Sequence, residues 1–220
     1  RALHLNTEGC HNTAVGKDSL QANTTGDSNV AVGHNAGTNV TTGTNNTLIG
    51  GLAGDALTTG ISNIAVGYGS LSTETEHGKN VAIGYFSLLN QNAGADAYNV
   101  AVGYNAGLSV STGIKNTLIG GQAGDALTTG SYNVAVGSEA LSTEDGHGAN
   151  VAIGYRSLKA LNAGAEGYNV AIGYEAGKSV STGTNKTSSK SSESTIEIMI
   201  FCRSKGNDFK LNLFLISKIP

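Results

Sequence analysis

Apolar positions recur along most of the chain with a fixed period. Asn, an apolar-rich triplet and Gly begin ten complete units, at Asn12, Asn29, Asn46, Asn63, Asn80, Asn99, Asn116, Asn133, Asn150 and Asn169. Successive starts lie 17 residues apart, except Asn80 to Asn99 and Asn150 to Asn169, which are 19 apart. Three steps of 17 and one of 19 make a super-period of 70, so Asn46–Ser62 returns as Asn116–Tyr132. A period in this range is the signature of stacked structural repeats. Residues 1–11 match the last eleven positions of the unit, so the array starts inside a repeat and the N-terminus is expected to be a truncation point.

Within the unit, position 2 is Val, Ile or Thr, and position 4 is always Val or Ile. β-Branched residues at alternate positions favour a strand with one buried face. The invariant Gly at position 5 permits a turn with positive φ. Position 8 is Ala or Ser and position 9 is Leu or Gly, which suits a close return segment. A later Thr-Thr-Gly, as at Thr58–Gly60, reads as a second β-prone stretch and another turn. Two or three Gly per unit leave no sustained helical period. The pattern predicts an all-β parallel solenoid of about ten complete coils, with Asn stacked into a side-chain ladder along the axis. The chain divides into a repeat array over 1–187 and a non-repeat tail over 188–220.

Position 3 is Ala in eight units and Leu in two, Leu48 and Leu118, and must face away from positions 2 and 4. Both faces of the strand are thus apolar or small, and a thin coil has little core of its own. The expectation is that another copy covers the Ala/Leu face, in a homo-oligomer that Ala101→Glu with Ala171→Glu would dissociate.

NVAIG at Asn80, Asn150 and Asn169, with NVAVG at Asn29, Asn99 and Asn133, resembles the head repeats of trimeric autotransporter adhesins. The longer unit NTAVGKDSLQANTTGDS from Asn12 is similar to the arrays of bacterial and viral tail-fibre-domain proteins. The resemblance covers residues 1–185. It implies a left-handed β-roll, a parallel trimer, a place outside the cell on a cell surface or virion, and a role in adhesion to a host-surface glycan or protein receptor. It also implies that Val81 and Ile83, Val151 and Ile153, and Val170 and Ile172 fill the roll. The adhesin head unit is usually shorter than this one, and the tail-fibre proteins often carry a self-cleaving chaperone domain for which the tail is too short.

The tail departs in composition. Lys186–Lys190 reads KTSSK where the repeat would read like NTLIG, and residues 186–220 carry net charge +3 against −6 for the preceding 185. Ser188–Ser194 reads as a polar linker. Thr195–Cys202 and Phe209–Ser217 read as a hairpin across Arg203–Asp208. A cap or docking strand and a shift of reading frame both account for so abrupt a change.

Composition narrows the chemistry. The chain has 220 residues, 32 Gly, one Pro, no Trp and formal net charge −3. Such a charge gives no general pull toward nucleic acid, and no apolar run reaches the ~20 residues of a membrane-spanning helix. Cys10 and Cys202 make neither a disulfide framework nor a zinc-ligand cluster, and no cofactor motif is present. No nucleophile–base pair is signalled, so a non-enzymatic fibre is the expected class. The alternatives are a glycan-degrading, tailspike-like enzyme and an ice-binding solenoid. Glu139 and Glu144 give no recognisable glycosidase signature, and Glu76, Ala93 and Gly146 interrupt the Thr array that ice binding would want. Glu76-His77 and Glu144-Asp145-x-His147 occupy matching places in the super-period and read first as solvated turns. In a trimer, His77 and His147 would each form a ring able to hold an anion or metal. Tyr68, Tyr85 and Tyr104 fall at position 6 of three successive coils, and Tyr155 and Tyr174 of two more. They read as a stabilising ladder, or as a strip of flat rings for a sugar ligand. Asn23, Asn39, Asn45 and Asn185 head N-x-S/T sequons, which arise readily from the repeat's own composition.

Overall fold

The computed structural model describes residues 1–189 throughout, and the strands Ile196–Cys202 and Leu211–Ser217 by their backbone. Each complete coil contributes one three-residue strand at positions 2–4, from β1 (Thr13–Val15) to β10 (Val170–Ile172). An eleventh, β11 (Lys186–Ser189), extends two residues past the boundary expected at 187. All eleven pair in parallel, each with its equivalent one coil away and in strict register, as Ala14 with Ala31 and Ala171 with Ser188. No helix occurs among the described residues. The architecture is a parallel β-solenoid, as the period requires.

Asn at position 1 connects neighbouring coils. The backbone N–H of Asn29 donates to Oδ1 of Asn12 at 2.8 Å, and that of Asn116 to Oδ1 of Asn99, also at 2.8 Å. The bond recurs at every step up to Lys186, whose N–H donates to Asn169 Oδ1 at 2.9 Å. In most coils Nδ2 crosses the coil to the carbonyl 14 residues on, as from Asn116 to Gly130 at 2.9 Å. The expected amide-to-amide bonds along the axis are confined to a few steps, such as Asn169 to Asn150 at 3.0 Å. The ladder is mainly side chain to backbone. From Asn29 to Asn169 these side chains are fully buried, so every bond replaces hydration that the interior cannot offer.

Position 5 has to be glycine on two grounds. Gly103 holds φ at +142°, and a Cβ there would meet the carbonyl oxygen of Gly120 at 2.5 Å. The turn backbones are thus stacked too closely for any side chain.

The core lies inside the coils and is built from positions 3, 8, 9 and 12. Its volume is balanced between columns. Leu48 fills position 3, and a Cβ on Gly37 or Gly54, the position-9 residues of the coil below and of its own coil, would meet its methyls at 2.5 and 2.7 Å. Leu118 excludes a side chain from Gly107 and Gly124 in the same way. Where position 3 is Ala and position 9 is Leu, as with Ala82 and Leu88, the bulk comes from the other column. Each position-8 Ser ties itself down, as Ser157 Oγ donates to the Gly154 carbonyl at 3.0 Å.

Two expectations about facing are overturned. Ala101, Ala171, Leu48 and Leu118 have no exposed surface, so position 3 faces the coil interior and cannot be an intermolecular contact. Ala101→Glu would bury a carboxylate within a coil and disrupt folding rather than dissociate subunits. Conversely, Val81, Ile83, Val151, Ile153, Val170 and Ile172 do not fill the roll; all are partly or largely exposed on the outer face. The reason is room. A coil this thin accepts Ala opposite a Leu, whereas two β-branched side chains per strand fit only outside.

The Thr-Thr-Gly segment is also not a strand. The N–H groups of Ser111, Thr112 and Gly113 converge on the carbonyl of Thr128, at 2.9, 3.3 and 3.2 Å. A bend of this kind satisfies three donors with one acceptor in place of a ladder.

The tail continues the same sheet with opposite polarity. β12 (Ile196–Cys202) pairs antiparallel with β11, and β13 (Leu211–Ser217) pairs antiparallel with β12. The expected linker falls largely, and the expected turn wholly, outside the described residues.

The ladder makes a direct prediction. Asn116→Ala strands the N–H of Asn133 and the carbonyl of Gly130, at about 1–3 kcal/mol for each group left unpaired. Asn116→Asp keeps the acceptor but places a carboxylate oxygen against that carbonyl. Both variants should therefore lower the denaturant midpoint, and an Asp variant as stable as the parent would contradict the assigned role of Nδ2.

Candidate functional site

Two features carry candidate chemistry: a row of rings on the outside and a pair of Glu–His corners reaching inside. Position 6 follows the Gly turn, and the backbone there carries the side chain outward. Tyr68, Tyr85 and Tyr104 stack in sequence, with ring centroids 5.6 Å apart at both steps and interplanar angles of 17° and 13°. Tyr155 and Tyr174 form a second stack at 5.3 Å. Gly121 and Ser138 occupy position 6 between the two, so the strip is interrupted. Phe86 packs against Tyr85 and Tyr68, and the Arg156 guanidinium lies 4.8 Å from the centre of Tyr155. Tyr104 and Tyr174 are the most open, 57% and 63% exposed. The rings form a continuous aromatic surface within each stack and support one another, so the side-chain ladder is also an outward-facing aromatic strip.

A further aromatic row escaped the sequence reading. Position 17, or 19 in the longer coils, places Lys79, Tyr98, Lys115 and Tyr132 on successive coils. Lys79 Nζ sits 5.1 Å from the Tyr98 ring centre and donates to its hydroxyl at 3.0 Å, and Lys115 sits 5.2 Å from the Tyr132 ring. Asp96 completes the first of these pairs at 2.6 Å from Lys79. The ion pair holds the Asp96 carboxyl below its ordinary range and raises the Lys79 ammonium. Reading the last position of each unit as a column would have found the alternation.

The Glu–His corners differ from the expectation of solvated turns. Glu74 and Glu144 occupy position 12, a core column that elsewhere holds residues such as Val40, Leu57, Val110 and Leu127, and both are fully buried. Glu144 Oε1 accepts from the His147 N–H at 3.1 Å and lies 3.1 Å from His147 Nδ1, while Oε2 accepts from the Ala163 N–H at 2.9 Å. Ala163 belongs to the 19-residue coil above, so the buried carboxylate anchors the start of its longer loop. Glu74 repeats the contact to its own corner, with Oε1 accepting from the N–H of His77 at 3.2 Å, but Oε2 and His77 Nδ1 have no hydrogen-bond partner among the described residues. Each His aims Nδ1 at its own coil's Glu, leaving about three tenths of the side chain exposed. Asp145 joins Glu144 and His147 in a group whose ligand atoms all lie within 4.8 Å of one another.

The remaining carboxylates have other roles. Glu139 bonds Arg156 at 3.0 and 3.2 Å and also pairs with Lys159. Arg156, then Lys159, holds its carboxyl down at about 2. A carboxylate so firmly ionised is unsuited to donating a proton near neutral pH. Asp55 and Asp125, one super-period apart, are pushed upward by burial.

Of the sequons, Asn39, Asn45 and Asn185 are exposed. Asn23 is buried, with Nδ2 donating to Asn6 Oδ1 at 2.6 Å, and is not accessible for glycosylation in the folded coil. The outer hydroxyls of Thr25, Thr42 and Thr59 form a short exposed run, and Glu76 and Ala93 end it. The neighbouring Thr24, Thr41 and Thr58 hydroxyls are used within the ladder, donating to the next coil's carbonyl at 3.0–3.2 Å.

Compared with family models, curated proteins and solved structures, the chain matches none of them.

The ion pairs predict a pH response. A depressed folded-state value means that Glu139 stabilises the fold above the ordinary glutamate range and loses that contribution as pH falls toward 2. Its carboxyl resonance should titrate with a midpoint of about 2 in the parent and return to the ordinary range, about 4.3, in an Arg156→Ala/Lys159→Ala variant. An unchanged midpoint in that variant would remove the ion pairs as the cause.

Proposed function

We propose that this chain is a structural fibre segment for surface attachment, presented outside the cell on a cell surface or virion, and assembled as a parallel homo-oligomer. The observation that carries the reading is a continuous aliphatic face along the outside of the rod. Val15, Ile49, Ile64, Ile83, Ile119 and Ile172 are 37–57% exposed, all at positions 2 and 4 of a ladder in strict register. Apolar patches of such extent mark contact surfaces. A second copy is the favoured occupant because its coils carry the same period, so contacts made at one coil recur at the next. A trimer and a role in adhesion rest on the resemblance of the NVAIG repeats to adhesin heads. The resemblance and the solenoid support the same reading.

Two measurements test it. Ile83→Lys with Ile119→Lys places two ammonium groups on the outer strand face without touching the coil interior. Light scattering should show the parent as an oligomer and the variant as a monomer with an unchanged β-rich circular dichroism spectrum. A monomeric parent would end the assembly proposal.

The stacked Tyr faces are the proposed contact for a host glycan, since aromatic rings offer apolar faces to sugar rings and hydroxyls for hydrogen bonds. Tyr85→Ser with Tyr104→Ser should reduce binding on a glycan array while leaving the fold intact. Full binding by the folded variant would move the contact elsewhere, and loss of folding would make the stack purely structural.

A further inference from the structure

We propose that the two Glu–His corners are metal sites, each taking one divalent ion of the zinc class. The first site is Glu144, Asp145 and His147; the second is the Glu74–His77 pair one super-period earlier, where Thr75 stands in place of Asp145. An imidazole nitrogen beside carboxylate oxygen is a borderline donor set that zinc accepts and that calcium and magnesium, which take oxygen ligands, do not favour.

The geometry at the first site suits a shared ion. Two ligand atoms about 2.0–2.1 Å from one tetrahedral ion lie roughly 3.3–3.4 Å apart. His147 Nδ1 and Glu144 Oε1 are 3.1 Å apart, and Asp145 brings its carboxylate within 4.8 Å of both. Asp145 is exposed and free to swing, so a small side-chain adjustment closes the set. Oε1 retains the His147 N–H bond on one lone pair and offers the other to the ion. Binding replaces the Nδ1 proton, and the imidazole then keeps its proton on Nε2.

The second site supplies an independent observation. Glu74 is fully buried, yet its Oε2 has no hydrogen-bond partner among the described residues, and His77 Nδ1, 3.8 Å from Oε1, has none either. Oε1 accepts from the N–H groups of Thr75 and His77, and a nearby positive charge would stabilise the unpartnered Oε2. A cation between Glu74 and His77 supplies that charge, with water completing its coordination. The recurrence of Glu and His at the same two coil positions, in a column otherwise largely apolar, is what such a site requires.

The full chain should be stripped with a chelator and dialysed against micromolar zinc, and bound metal counted beside His77→Gln/His147→Gln. The parent is expected to hold two more equivalents than this variant. Asp145→Asn changes an exposed residue, keeps the fold, and should weaken one of the two sites by about tenfold or more. Equal zinc in the parent and the double variant would overturn the proposal. So would loss of all bound zinc on Cys10→Ser, because the exposed Cys10 beside His11 is a separate thiol–imidazole pair. If the double variant does not fold, Asp145→Asn decides alone, and unchanged affinity there removes the first site.

Discussion

The solenoid depends on one asparagine per coil. Its amide has two arms, and the structure uses both: Oδ1 receives the backbone N–H of the next coil, and in most coils Nδ2 closes its own coil on a carbonyl 14 residues later. No other uncharged side chain of this length offers an acceptor and donors from one rigid plane. Glutamine adds a methylene and a torsion, and aspartate loses the donor. Coil closure and coil stacking are therefore coupled through a single buried group. Strands of three residues, too short to define a register by side-chain contacts, are held in strict register by it.

Much of this architecture was legible in the sequence, because a column of ten asparagines can only be read as a stack. The facing of the strand was equally available and was missed. Positions 1 and 3 of an extended segment share a side. Once Asn99 is placed inside the coil, Ala101 must lie inside as well, and Val100 and Val102 outside. Ranking by hydrophobicity points the other way, since Val and Ile are usually the buried residues. Volume decides here: Ala at position 3 leaves room for Leu at position 9, and Leu48 demands Gly37 and Gly54. Local pairing rules do not contain that trade, which becomes visible only when distant columns are compared.

The candidate sites followed the same division. Stacking of Tyr68, Tyr85 and Tyr104 follows from their common position, because the ladder brings equal positions to one coil spacing, ~4.8 Å. The burial of Glu74 and Glu144 was hidden because each was grouped with its chain neighbours His77 and His147. As a column, position 12 reads Val40, Leu57, Glu74, Gln91, Val110, Leu127, Glu144 and Leu161, all buried. A carboxylate within that column marks something other than a solvated turn. It also precedes the 19-residue coil in both super-periods, and Glu144 receives the N–H of Ala163 at the start of the longer loop. The buried acid and the longer coil thus recur together every four coils, and in the second super-period the acid holds the longer loop directly.

The same logic accounts for where parallel stacking stops. Lys186 stands in the asparagine column, and its backbone N–H still completes the bond to Asn169 Oδ1, so β11 docks like the strands before it. A lysine side chain carries donors only and cannot receive the N–H of a twelfth coil. Ser188 takes the interior position that Ala or Leu holds below it. Each substitution removes a different requirement of the coil: the acceptor and the apolar interior. Beyond β11 the sheet continues by backbone pairing, and β12 joins it antiparallel, the arrangement open to a strand that has no coil to close.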